Sequence, residues 1–151
     1  MPVHRIIDAM NKKILIAIIV GVVVIGAAFG WSEYNRGKTT ADEMPIKEVV
    51  TAQALFLAFS SDEEAANARF VGTAEQVIQV SGAIRSIEPV DGGHTNVVLE
   101  TGDPLAGVVC EFANEDLDPT WRTGAAVKVN GFCSGLLLDV VLVRCVPVVS
   151  N

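Results

Sequence analysis

No Cys-x-x-Cys, no Gly-x-Ser-x-Gly and no glycine-rich phosphate loop occurs in this sequence. The first absence removes the usual paired-thiolate metal or redox site, the second the nucleophile elbow of serine hydrolases, the third the backbone cradle of nucleotide binders. Only two histidines are present, His4 and His94, and neither lies near a cysteine in sequence. Basic residues are scarce, 11 Lys and Arg against 18 Asp and Glu. Arg5, Asp8, Lys12 and Lys13 are the charges ahead of Ser32, so the remainder carries −9 where the whole chain carries −7. Such a domain repels phosphate backbones at long range and gains no counterion release from them. Aromatics make up 6% of the chain, few for a surface that stacks bases. No catalysis, no cofactor and no metal is expected, and nucleic acid is an unlikely partner on charge grounds.

What is present begins with an apolar block. Ile14 to Gly30 runs without a charge, and Trp31 extends it. At 1.5 Å per residue a helix of that length reaches across a hydrocarbon core. Arg5, Lys12 and Lys13 precede it, whereas Glu33 offsets Arg36 and Lys38 beyond it, which places the N-terminus in the cytoplasm. Trp31 and Tyr34 suit the far interface. Gly26-Ala27-Ala28 offers small residues for signal-peptide cleavage, but the block is longer than a usual signal core. The first cysteine after it is Cys110, so no lipid-modified N-terminal cysteine is available. Residues 1–31 are therefore read as a cytoplasmic N-terminus and single-pass anchor, 32–43 as a polar linker, and 44–151 as an extracytoplasmic domain. That domain would be periplasmic if the source is a Gram-negative bacterium.

A helical lead-in opens the domain. Met44-Pro45 suits a first turn, and Ile46, Val49, Val50, Ala54, Leu57 and Ala58 recur at helical steps. Ser61-Asp62-Glu63-Glu64 has the spacing of a capping box for a second helix, Asp62 to about Phe70, which Gly72 ends.

Five strand-like runs follow. Val77 to Ile87 is β-branched and interrupted by Gly82, the mark of a bend that lets one strand serve two neighbours. After the Val90-Asp91-Gly92-Gly93 turn come His94–Glu100, Gly107–Phe112, Ala126–Gly131 and Leu137–Val149, the last pair separated by a turn at Ser134-Gly135. The connection from Ala113 to Gly124, with Asp116, Asp118, Pro119 and Trp121, has room for one helical turn. The plan is α+β, mainly β: a five-stranded OB-fold barrel preceded by two short helices and an N-terminal transmembrane helix.

Ala54-Leu55, Phe59, Glu64, Ala66-Asn67, Phe70, Gly72 and Ile78-Gln79-Val80-Ser81-Gly82 come in an order that continues through Gly107–Phe112, Gly124-x-x-Val127-x-Val129-x-Gly131-x-Cys133-x-Gly135 and Asp139-Val140-Val141-Leu142 with Cys145. On these residues the chain, from about Thr51 to Val149, resembles the membrane-anchored tRNA_anti-like (OB-fold) family. Phe70 stands where a tyrosine is common. The resemblance implies an OB fold behind an N-terminal membrane or lipoprotein signal, and no particular activity.

Strand alternation turns Cys110, Cys133 and Cys145 inward, and outside the cytoplasm disulfides are permitted. The third and fifth strands of an OB barrel are neighbours, which makes Cys110–Cys145 the preferred pair; three buried thiols acting as small hydrophobes is the alternative. The ligand face of such a barrel lies on its second and third strands, here His94, Asn96 and Glu111, with loops 89–94 and 134–138 around it. The expected role is a membrane-tethered binding or scaffold module whose partner is another envelope protein. An oligosaccharide or peptide binder of the envelope, or a single-strand nucleic-acid binder, stands as the alternative.

Overall fold

The structure, a computed structural model, describes residues 12–34 and 39–149. The expected cytoplasmic segment with His4 and Arg5, and the Arg36 and Lys38 of the linker, lie outside the described residues. Two units are formed, divided after Lys38. The first holds α1, Lys12–Tyr34, a helix of 23 residues. Its length of about 34 Å is sufficient to cross a membrane. Its apolar side chains, Ile14 through Trp31, are exposed around the circumference, as in a helix without a polar face.

The second unit begins at Thr39, ahead of the boundary expected at Met44. Ala41 is fully buried beside Val77 and Phe132, so the last linker residues are part of the fold. Next comes β1, Ile46–Thr51, where a helix start was expected. Its β-branched residues favour an extended chain, and Val50 aligns in parallel with Val80. The helix proper is α2, Ala52–Ser61, capped by the Thr51 hydroxyl, which accepts the Ala54 N–H at 3.1 Å. Its buried stripe is Ala52, Leu55 and Phe59, and Ala54 and Leu57 of the expected stripe face outward. The next cap also shifts by one residue. Asp62, not Ser61, receives the Ala65 N–H at 3.0 Å: Ser61 is still the last residue of α2, its hydroxyl donating to the Leu57 carbonyl, and Asp62 has the extended backbone of a cap. The short helix α3, Glu63–Ala66, widens into a π-helical turn over Asn67–Val71. There the Gly72 N–H reaches back five residues to the Asn67 carbonyl at 2.8 Å, and Gly72 ends the turn at φ +68°.

The barrel is organised on β2, Val77–Val90. Its first half pairs antiparallel with β5, Ala126–Leu136, and its second half with β3, His94–Leu99. The change of partner falls between Ala83 and Ile84, just past Gly82. A Cβ on Gly82 would lie 3.1 Å from the Ala52 Cβ and 3.4 Å from the Leu99 Cβ, so the missing side chain is what lets α2 and β3 approach the bend. From β3 the sheet continues to β4, Val108–Ala113, then in parallel to β6, Val140–Pro147, and back antiparallel to β5. The result is a closed five-strand barrel, mainly β, with β1 added to one edge of β2. Inward residues fill it in alternation: Ile78, Val80 and Ile84, then Val97 and Leu99, Val108, Cys110 and Phe112, Val129, Leu142. Leu55, Phe59 and Phe70 join this core from the helices, the two phenyl rings 6.0 Å apart.

Three boundaries in the second half differ from expectation. Ser134-Gly135 is not a turn. β5 runs through it with a bulge, Gly135 at φ +111°, and the chain turns at Leu137–Asp139. The last strand is correspondingly shorter at both ends. The connection after β4 forms turns rather than a helix. Asp118 accepts both the N–H and the hydroxyl of Thr120, at 2.8 and 2.6 Å, and Trp121 packs edge-on to Phe112 with ring centres 5.5 Å apart.

Candidate functional site

The outer face of β3 and β4 collects the residues expected there. Alternation buries Thr95, Val97 and Leu99 and turns His94 and Asn96 outward. In the ladder Asn96 pairs with Glu111 on one side and Glu88 on the other, so a carboxylate stands one strand away in each direction. The Ser86 hydroxyl donates to Glu88 at 2.7 Å. His94 sits at the end of the same ladder, beside the turn of Gly92 and Gly93, both at positive φ. The face is acidic at its centre. Among the described residues from Thr39 onward, no large aromatic side chain stands exposed.

The two loops expected to flank this face are at opposite ends of it. The turn 91–93 lies at the His94–Ala113 end of the ladder. The segment Leu137–Asp139 lies at the Leu99–Val108 end, where the Gly107 N–H donates to the Asp139 carboxylate at 2.7 Å and the Val140 N–H to the Gly107 carbonyl at 3.1 Å. At that end Arg85 organises the chain between β3 and β4. It donates to Glu100 at 2.6 Å and to the carbonyls of Asp103 and Ala106 at 2.8 and 3.3 Å. The hydrogen bond from Arg85, with its positive charge, holds the Glu100 carboxyl below the usual carboxylate range.

All three cysteines are buried, and all three are thiols in this structure. Burial pushes the Cys133 thiol up to about 11. Burial, and then the adjacent Cys110 thiol, raises Cys145 well above its ordinary value. Thiols so suppressed are poor nucleophiles. The structure thus brings Cys110 and Cys145 together, as expected from the pairing of third and fifth strands. Among the described residues no group of three His, Cys, Asp or Glu is placed to hold a metal ion.

Arg144 was not singled out from the sequence. It adopts φ +52° inside β6, at a bulge where Asn130 faces Val146 but Phe132 faces Val143. That left-handed position normally takes glycine. Here the side chain compensates: it lies over the Phe132 ring at 4.0 Å and donates to Glu75 at 2.6 Å and to the Thr39 carbonyl at 3.2 Å. No local pattern signals this, because the bulge arises only when β5 and β6 pair. A concavity of about 820 Å³, open to solvent, lies between Met44–Lys47 and Val71–Gln76, apart from the β3–β4 face. Lys47 donates across it to Gln76 at 2.7 Å.

Comparison with known proteins bears on the fold more than on the ligand. Among curated proteins nothing matches the chain. A crystal structure from Klebsiella pneumoniae subsp. pneumoniae, of a lipoprotein described as a candidate nucleic-acid binder, is similar with a TM-score of 0.53 and 12% identity. The match covers 66% of this chain and 91% of that one, and identity so low speaks for a shared fold alone. The model of the tRNA_anti-like family matches residues 7–146, nearly the whole of the chain, and on that match and the closed barrel the protein belongs to the tRNA_anti-like family.

Proposed function

We propose that this protein is a non-catalytic binding module of the cell envelope, held at a membrane by α1 and recognising a partner other than nucleic acid. The observation that carries this is the ladder Glu88–Asn96–Glu111, which sets a carboxylate on each side of the central residue of the barrel face that would meet a ligand. A phosphate backbone laid there would meet two like charges and no stacking ring. The suppressed thiols support a role without catalysis. The apolar length of α1 and the lipoprotein character of the Klebsiella relative support an envelope location, with the barrel outside the cytoplasm.

The competing reading is single-strand nucleic-acid binding, which the description of that relative favours. Fluorescence anisotropy of labelled DNA and RNA oligonucleotides, titrated with the protein at low and high salt, separates the two. The present reading expects no salt-sensitive binding at micromolar protein. A binding curve that weakens steeply with salt would overturn it. Protease accessibility of the barrel in intact and permeabilised cells tests the orientation.

A further inference from the structure

At one end of the barrel three leucines stand almost fully in water. Leu105 is 90% exposed, Leu137 83% and Leu138 86%. They belong to two loops separated in sequence, between β3 and β4 and between β5 and β6. The Gly107–Asp139 and Gly107–Val140 hydrogen bonds join these loops side by side. Exposed apolar side chains gathered on adjoining loops mark interaction sites more often than scattered single residues do.

The backbone beneath the leucines is braced. The Thr101 hydroxyl, itself buried, donates to the Ala106 carbonyl at 2.6 Å, and the Asp103 carboxylate accepts the Leu105 N–H at 2.8 Å. Arg85 holds the carbonyls of Asp103 and Ala106, and the Leu137 N–H donates to the Asp139 carbonyl at 3.0 Å. A rigid platform under exposed apolar groups lowers the ordering cost of binding.

Charge selects the occupant. The leucines are bordered by Glu100, Asp103 and Asp139, with Arg85 as the neighbouring cation. An anionic bilayer would repel this rim, and a second copy would oppose carboxylates with carboxylates. We infer that this end of the barrel is a docking site for a partner protein presenting an apolar pocket bordered by Lys or Arg, into which Leu105, Leu137 and Leu138 insert. The inference rests on the binding-module reading above and deepens it by naming the partner's chemistry and the point of contact.

The test uses the full chain in its own membrane, with the photo-crosslinking residue p-benzoylphenylalanine at position 105 or 138, and at position 49 on β1 as a control. Both leucine positions should form the same discrete adduct, and position 49 should not. The crosslinked segment of the partner should line an apolar pocket with basic residues at its edge. In mild detergent the yield should fall by roughly tenfold between about 50 and about 500 mM salt. Leu137→Asp should abolish the adduct at 105 while the thermal midpoint holds, since the residue is exposed. The inference is overturned if no adduct forms, if the only adduct has twice the chain mass, or if the adduct is salt-insensitive. It is also overturned if the protein in nanodiscs floats with added phosphatidylethanolamine/phosphatidylglycerol vesicles through these leucines. Oligonucleotide binding would refute the proposed function instead, and leaves the crosslinking result to be read separately.

Discussion

The guanidinium of Arg144 lies 4.0 Å from the centre of the Phe132 ring, although Arg144 itself occupies a left-handed backbone position within a strand. Strain of that kind costs about 1–3 kcal/mol and persists only where contacts over-determine it. Arg144→Ala should remove the stacking, the Glu75 ion pair and the Thr39 hydrogen bond while keeping the strain, a loss of about 1–2 kcal/mol. Arg144→Gly should lose the same contacts but relax the backbone, and so fall closer to wild type. Thermal unfolding followed by near-ultraviolet circular dichroism gives the order: wild type, then glycine, then alanine.

Gly131 faces the same bulge from β5. A Cβ added there would come within 2.7 Å of the Cys145 sulfur and 3.2 Å of a Leu142 methyl. Gly131→Ala should therefore destabilise the barrel by about 1–3 kcal/mol. Cys145→Ala removes the obstructing sulfur, so the double variant should be more stable than the sum of the single losses. A double-mutant cycle in thermal midpoints measures this coupling.

The cysteines make a labelling prediction. In the native fold at about pH 8, maleimide should leave all three unmodified, since they are buried and Cys133 titrates only near 11. The adjacency of Cys110 and Cys145 should close into a disulfide in an oxidising envelope. Protein taken from that compartment and denatured without reductant should then accept one label, on Cys133, and three after reduction. Three labels without reductant would mean that both remain thiols.

Stability should respond to acid through Glu100. Its carboxyl titrates lower in the folded state, because Arg85 donates to it, than in the unfolded chain, where the value is about 4.3. A depressed carboxylate contributes stability above the unfolded value and loses it as pH falls through the folded one. Asp118, lowered by the Thr120 bonds, acts in the same direction. Thermal midpoints should therefore decline from about pH 5 downward, and Glu100→Gln should lower the midpoint at neutral pH and flatten that decline. The effect is modest because the pair is open to solvent.

The alternation of Val77–Ile87, its glycine at 82 and four further runs determined the barrel, since a two-residue period assigns each side chain to a face wherever pairing occurs. The uncharged run from Ile14 determined the long helix in the same local way. The outward placement of His94, Asn96 and Glu111 was legible for that reason too. Ile46–Thr51 was not: apolar residues at 46, 49 and 50 fit a helical stripe, and only pairing with Val77–Ser81 decided for a strand. Tertiary structure alone placed the extra residue at Ser134, set Arg144 in a left-handed bend, and joined Leu105 to Leu137 and Leu138 through Gly107 and Asp139. Bulges and loop contacts follow from how distant strands close on one another, and that closure is a property of the whole barrel that no short stretch of the chain encodes.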